Sequence, residues 1–105
     1  MKILALEHDV PGINAAEGRS QETAPLLRAE AGRVWELQQA GILRELYFRQ
    51  NENAAVLVLE CAGADEAQRV LETLPLVRAG LIAFEIIPLR PYPGFARLFD
   101  SEVKR

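Results

Sequence analysis

The sequence predicts an α+β domain in which strands and helices follow the order β-α-β-β-α-β. Two helical segments alternate with four apolar segments of strand length, and Pro75 ends the second helix. A short turn containing Gly80 then leads into a long apolar segment that closes the sheet. A chain of 105 residues is large enough for one two-layer core and too short for two, so residues 1–105 are expected to form a single domain.

The first half of the chain predicts a strand, a loop and a long helix. Residues 2–9 form an apolar strand that ends at the turn residues 10–12. Residues 13–22 are small and polar, which is typical of a loop. A helix is expected to begin near Pro25, because a proline in the first helical turn loses no useful N–H group. This helix is expected to end at Gly41.

The second half predicts a hairpin, a second helix and a last strand. Residues 42–50 and 54–61 are expected to pair through a turn at 51–53. A second helix opens at 63–66, where two acidic residues favour the positive end of the helix dipole. The last strand is predicted over 80–89. This order is that of a ferredoxin-like domain, an antiparallel four-stranded sheet with two helices on one face.

Residues 90–105 are expected to leave the sheet as a C-terminal arm. Pro91 and Pro93 lack the N–H groups that a central strand donates to its neighbours. The arm nevertheless carries four large apolar side chains, namely Tyr92, Phe95, Leu98 and Phe99. So apolar a segment should be covered, and we expect it to cross onto a neighbouring subunit.

Composition and charge exclude several classes of partner. The net charge is −3 and the longest basic cluster is the terminal Lys104-Arg105, so a nucleic acid is not expected to bind. No apolar run reaches the length of a membrane span, and residues 1–9 do not have the pattern of a signal peptide. The single cysteine, Cys61, permits no internal disulfide, and we therefore expect a cytoplasmic protein.

Glu30 is the candidate catalytic residue. On a helical wheel of roughly 100° per residue it falls inside the apolar arc, between Leu37 and Val34. A carboxylate on the core-facing side of a helix loses hydration, so its pKa is expected to rise and the group can act as an acid or base near neutrality. The alternative is a position at the rim, where Glu30 reaches solvent or pairs with an arginine.

Polar side chains on the strands form a second candidate site, for binding the substrate: Glu7, Arg44, Tyr47, Arg49 and Glu85. Alternation puts Glu7 on the face of Ile3 and Ala5, and it puts Arg44 on the face of Leu46. The wholly apolar strand faces are expected to meet the helices, and the mixed faces to look into a barrel or a subunit interface. Because the first and last strands are neighbours, Glu7 and Glu85 are expected to lie close together, balanced by Arg44 or Arg49. The set forms either a ligand site or a charge network between subunits.

Other sites are not expected from the motifs. The lone His8 has no cysteine or histidine cluster around it, so no metal site is predicted. The sequence contains no CxxC pair, glycine-rich phosphate loop or Ser-His-Asp set. Cys61 ends an apolar strand and is expected to pack as a small hydrophobic residue.

In order and spacing, residues 37–41, the hairpin, Leu74-Pro75-Leu76 and Pro91 resemble the muconolactone isomerase family, and especially its small bacterial isomerase-like members. The resemblance implies a dimeric α+β barrel, an obligate homo-oligomer whose cavity between sheet and helices needs no cofactor. It also implies proton transfer on a small lactone or acid, with Glu30 near the position of a glutamate proposed as proton shuttle. Arg44-Glu45 replaces a basic residue and a histidine, which argues against the family's own lactone as substrate.

Three functions are compatible with these observations. The first is a cofactor-free isomerase-like or lyase-like enzyme that moves a proton on a small lactone or carboxylate, with Arg44 or Arg49 binding the carboxylate through two hydrogen bonds. The second is a non-catalytic small-molecule-binding or assembly domain. The third is haem binding or cofactor-independent monooxygenation, which other barrels of this fold perform. A closed pocket that holds Glu30 and an arginine favours chemistry, whereas a filled barrel favours assembly.

Overall fold

A computed structural model describes residues 1–12 and 24–99 of the chain. Four strands form one antiparallel sheet in the order β2-β3-β1-β4. The strands are β1 (Lys2–Asp9), β2 (Leu43–Phe48), β3 (Ala55–Glu60) and β4 (Ile82–Pro88). The helices are α1 (Ala24–Gln39), α2 (Ala64–Leu71) and α3 (Pro75–Arg78). The predicted ferredoxin-like fold is confirmed, and each predicted strand agrees with the observed one to within two residues at either end.

The core lies between one face of the sheet and the helices. Ile3 and Ala5 of β1 are fully buried, and so is Leu59 of the neighbouring β3. Leu37 of α1 and Leu71 of α2 close this layer from the helix side. Each large aliphatic side chain buried in this way stabilises the fold by about 1.5–3 kcal/mol. The central strands β1 and β3 therefore anchor the molecule.

A bulge in β2 changes which of its side chains face the core. Leu43 and Leu46 both pair with buried residues of β3, although three positions separate them. The pairing shifts between Leu43 and Glu45, so Arg44 is the extra residue. Simple alternation, which put Arg44 on the same face as Leu46, is wrong here because one inserted residue inverts the alternation.

Gly41 and Gly80 each end a helix with the same backbone motif. Their φ angles are 80° and 76°, a left-handed conformation that side chains other than glycine adopt only at a cost. After α1, the Ile42 N–H donates to the Leu37 carbonyl at 3.1 Å, and an equivalent bond follows Gly80. The predicted end of α1 at Gly41 is thereby confirmed.

The sequence-based prediction did not include α3. It extended the second helix up to Pro75, whereas α2 ends at Leu71 and Pro75 instead begins a one-turn helix. Proline favours this position because its φ angle is already helical. α3 packs against α1, and the backbone amide of its Leu76 donates a hydrogen bond to Glu30.

The described part of the C-terminal arm lies outside the sheet, as predicted from its prolines. Residues Gly94–Leu98 form a 3₁₀ helix, and the Tyr92 and Phe95 rings meet edge to face at 5.1 Å between centroids. The four large side chains of the arm are 65–82 % exposed in the single chain. Residues 100–105 of the arm and the loop predicted over 13–22 lie outside the described residues. Contact of the arm with another subunit stays a prediction.

Two smaller features complete the fold. Cys61 is buried beside the core, as predicted, and burial raises the pKa of its thiol. Among the helices of the described residues, none is both long and apolar enough to cross a membrane.

Candidate active site

An apolar cavity of about 430 Å³ lies between α1 and the helix-facing side of the sheet. All four strands, α1 and the segment around α3 contribute to its walls, which are almost entirely aliphatic and aromatic. Three polar side chains reach it apart from the indole of Trp35, namely Glu7, Glu30 and Gln38. A volume of this size suits a small organic molecule. We refer to this space as the apolar cavity.

Glu30 lies in the wall of the apolar cavity, on the inner side of α1. Its Oε1 accepts a hydrogen bond of 2.9 Å from the backbone N–H of Leu76 in α3. Burial is the main cause that raises the pKa of Glu30 above its ordinary value; the Leu76 hydrogen bond opposes this, and the negative charge of Glu7 adds to it. Within the described residues no arginine forms an ion pair with this carboxylate.

The segment between α2 and α3 is tied to α1 next to Glu30. Arg33, one turn further along α1, donates from Nε to the Thr73 hydroxyl at 2.9 Å. Thr73 in turn donates to the Val70 carbonyl at 2.6 Å. These bonds hold α3 at one position along α1, and so they position the Leu76 amide next to the Glu30 carboxylate. Sequence reasoning missed this amide, although the Leu74-Pro75-Leu76 motif signalled a break in the helix.

Glu7 also lines the apolar cavity, which corrects its predicted environment. Alternation placed it on the face of Ile3 and Ala5, and that face was expected to look into a barrel or interface. It meets the helices instead, because Ile3 and Ala5 are fully buried there. The Glu7 Oε1 accepts a hydrogen bond of 2.9 Å from the Ala55 amide of β3.

The predicted proximity of Glu7 and Glu85 is wrong. In the pairing of β1 with β4, Glu7 lies opposite Phe84 and Glu85 lies opposite Leu6. Neighbouring residues on a strand point to opposite faces. Glu85 therefore lies on the open face of the sheet, against which none of the described helices packs.

A polar cleft of about 600 Å³ adjoins the apolar cavity at the end of β1. Its lining combines one end of β1 with the β2–β3 hairpin: Glu7, His8, Asp9, Arg49, Asn51, Glu52, Asn53 and Ala54. Glu7 belongs to the lining of both spaces, so it stands at their junction. Among the described residues, the wall of the apolar cavity contains no arginine, so Glu30 and an arginine do not share one pocket. Arg49 lines the adjoining cleft instead.

The other predicted binding residues lie elsewhere. Arg44, in the bulge, donates from its Nε to the Gly41 carbonyl and lines neither space. Tyr47 lies on the open face, where its hydroxyl donates to the Glu45 carboxylate at 2.9 Å. That hydrogen bond and charge raise the pKa of Tyr47. The structure therefore brings Glu7 and Glu30 together and separates Arg44, Tyr47 and Glu85 from them.

Metal and haem sites find no support in the described residues. No group of three or more His, Cys, Asp or Glu side chains there is arranged to hold a metal ion. His8 is exposed, with Nδ1 at 3.0 Å from the Asp9 carbonyl, and it lines the polar cleft rather than the apolar cavity. The described residues that line the apolar cavity include no histidine that could serve as an axial haem ligand.

Comparisons with known proteins agree with this architecture. The chain is similar to 5-chloro-2-hydroxyhydroquinone dehydrochlorinase from Burkholderia phenoliruptrix, solved with 2,5-dihydroxybenzoquinone, at a TM-score of 0.64 and 18% identity, covering 88% of this chain and 96% of that one. It is equally similar to a muconolactone isomerase, at a TM-score of 0.64 and 20% identity, covering 90% and 93%. No curated protein matches it significantly. The family model for muconolactone delta-isomerase matches residues 13–94, so this chain belongs to the muconolactone delta-isomerase family.

Proposed function

We propose that this chain is an isomerase-type or lyase-type enzyme that moves a proton on a small lactone or cyclic carboxylate, without a bound cofactor, through Glu30. The observation that carries this proposal is a carboxyl group with a raised pKa in the wall of an apolar cavity, held by one backbone amide. Membership of the muconolactone delta-isomerase family supports the reaction class.

The chemistry of such a reaction suits a carboxyl group of raised pKa. A base removes a C–H proton next to a carbonyl group, and the electron pair of that bond moves into a conjugated enolate. A proton is then delivered to a distant carbon in an isomerisation, or a leaving group departs in an elimination. General acid–base catalysis is most efficient when the pKa of the catalytic group lies near the working pH. Desolvation by the apolar walls brings Glu30 closer to that condition.

We propose that the ring of the ligand binds in the apolar cavity and its carboxylate points into the polar cleft. Arg49 lines that cleft, and a guanidinium can bind a carboxylate through two parallel hydrogen bonds. Arg44 donates to the chain's own backbone outside both spaces and is a weaker candidate for this role. Tyr47 and Glu85 lie on the open face, so we propose that they contribute to a subunit contact rather than to the ligand.

We also propose a homodimer in which two open sheet faces meet. That face presents apolar side chains from the two central strands, each partly buried in the single chain: Leu4, Leu6, Val56 and Val58. An apolar sheet face without helices is unfavourable in water and is normally covered. The single cysteine and the absence of a disulfide framework favour the cytoplasm as the site of action.

The test is proton transfer by the wild-type protein and a Glu30→Gln variant. A panel of small lactones and cyclic acids, beginning with muconolactone, is incubated in deuterium oxide, and deuterium uptake and isomer formation are followed by proton NMR. The wild type is expected to act on at least one compound, and Glu30→Gln to lower kcat by about 10²–10⁴-fold. Glu36→Gln on the exposed side of α1 is the matched control and should retain the wild-type rate.

Two outcomes would contradict the proposal. An unchanged rate in Glu30→Gln would remove Glu30 from the chemistry. Binding of panel compounds by the wild type without any exchange or isomerisation would instead favour the alternative of a non-catalytic small-molecule-binding domain.

A further inference from the structure

Two carboxyl groups share the apolar cavity, and they come from opposite walls. Glu30 belongs to α1 and Glu7 to β1, and among the described residues that line the cavity these two are the ionisable ones. The remaining lining from β2, β3, β4 and α3 is aliphatic or aromatic.

The two carboxyl groups are held in the same way. The Ala55 amide donates to Glu7 and the Leu76 amide donates to Glu30, each at 2.9 Å. Both amides belong to regular structure, one to β3 and the other to α3. Backbone donors on rigid elements orient an acid–base group without neutralising its charge, which is how precise catalytic sites are built.

Glu7 is the described ionisable residue that lines both the apolar cavity and the polar cleft. Among the described residues, the charged or titratable groups that line this cleft together with Glu7 are His8, Asp9, Arg49 and Glu52. A carboxyl group at this junction can exchange protons with the cleft while it remains next to a molecule in the apolar cavity. Glu30 lines the apolar cavity only.

We propose that Glu7 is a second catalytic residue and that Glu7 and Glu30 act as a carboxyl pair holding one proton, each serving one of the two proton transfers in a turnover. This inference rests on the proposed function and adds a second acid–base group, so that different carboxyl groups serve the removal of one proton and the delivery of the other. The negative charge of Glu7 is among the causes that raise the pKa of Glu30, so the two groups interact.

The proton balance of the pair closes over one turnover. We place the starting proton of the cycle on Glu30, because burial raises the pKa of this group. The Glu7 carboxylate takes the C–H proton, the electron pair of that bond enters the conjugated enolate, and Glu30 delivers its proton to the distant carbon. Glu7 then releases a proton to the polar cleft and Glu30 regains one, so neither oxidant nor reductant is needed.

A reciprocal titration tests the pair. Wild type, Glu7→Gln, Glu30→Gln and the control Glu36→Gln are labelled with carbon-13 glutamate, and the side-chain carboxyl signals are followed against pH. Glu7→Gln should lower the pKa of Glu30, because the like charge that helps to raise it has been deleted. Glu36→Gln should leave both titrations unchanged. Independent titration of Glu7 and Glu30 in all four proteins would overturn the inference.

Kinetics on a compound from the panel separate this inference from the proposed function. Glu7→Gln should lower kcat by about 100-fold or more with little change in KM. Glu7→Asp should keep the negative charge next to Glu30. Its kcat should still be lower, because the aspartate side chain is shorter by one methylene group. Loss of activity in Glu30→Gln with wild-type kcat in Glu7→Gln would overturn the pair and leave the proposed function standing. If the wild type moves no proton at all, the proposed function fails, and the titration still decides whether the carboxyl groups are coupled.

Discussion

Glu30 owes its position to the helical repeat and its properties to its neighbours. Its spacing from Val34 and Leu37 puts it on the inner side of α1, as the wheel predicted. A helical wheel does not show which residues of other elements act on Glu30. These are Glu7, whose charge raises the pKa of Glu30, and Leu76, whose backbone amide donates to it. Burial dominates the other two influences, so the pKa of Glu30 is raised and its ionised form is disfavoured in the folded state.

This shift predicts a pH-dependent stability. The folded state keeps a proton on Glu30 to higher pH than the unfolded state, whose pKa is the ordinary 4.5. Stability from this group is therefore complete below 4.5 and is lost as the pH rises through the folded-state pKa. Glu30→Gln has no carboxyl group to ionise at this position. Its unfolding free energy should therefore increase relative to that of the wild type as the pH rises through this window. Urea unfolding across the window measures the difference.

The control for this experiment is Glu36→Gln. Glu36 is exposed on the same helix and pairs with Arg33 at 3.1 Å, a surface contact worth little. Its stability curve should run parallel to that of the wild type. Parallel curves for Glu30→Gln as well would show that the carboxyl group is not perturbed by burial.

At the scale of elements, helix ends decide where the site residues lie. The left-handed Gly41 ends α1 and turns the chain into β2, and Gly80 turns α3 into β4. Pro75 starts α3, whose Leu76 amide then reaches Glu30. A one-turn helix has little stability of its own, so packing against α1 supports it.

A pair of glycine substitutions tests the conformational argument. Gly41→Ala places a side chain at a φ angle of 80° and should destabilise the protein by about 1–2 kcal/mol. Gly32→Ala is the matched control, because Gly32 lies inside α1 with open space around its missing Cβ. Alanine there should stabilise by about 0.5–1 kcal/mol. Urea unfolding measures both, and equal effects of the same sign would contradict the argument.

At the scale of the whole molecule, a single chain leaves two apolar surfaces uncovered. One is the open face of the sheet, and the other is the arm with its exposed Tyr92, Phe95, Leu98 and Phe99. Both surfaces carry several apolar side chains among polar ones, and water disfavours the exposure of such side chains. The two surfaces predict separable effects on assembly.

The open face is tested with Val58→Asp. Val58 lies on this face, beside Leu4 of β1 and Glu45 of β2. A carboxylate buried there by a facing sheet would be unpaired, so the variant should be monomeric where the wild type is dimeric. Gln68→Asp on the exposed surface of α2 introduces the same charge without effect. Light scattering at low micromolar concentration measures both, and a monomeric wild type would contradict the dimer.

The arm is tested by truncation after Leu89. Burial of even two of its large side chains on another subunit would contribute a few kcal/mol, at about 1.5–3 kcal/mol each. Truncation should therefore lower the oligomeric state or the melting temperature. Ending the chain after Phe99 keeps all four side chains and serves as the control. If truncation after Leu89 changes neither property, the arm covers nothing.

The sequence by itself determined the order of the four strands and the two longer helices, the helix end at Gly41, the inner position of Glu30 and the family. These depend on local signals: hydrophobic period, turn residues and helix-ending glycines act over a few positions. They suffice to predict a ferredoxin-like sheet and one candidate acid–base residue.

Only the tertiary structure decided which face of β1 meets the helices, and hence that Glu7 shares a cavity with Glu30 rather than lying beside Glu85. It also decided that Arg44 forms a bulge and that Leu76 donates to Glu30. Each of these depends on pairing between segments far apart in the chain. A period of two shows which residues share a face but not what that face packs against, because the packing depends on the register and partners of the whole sheet.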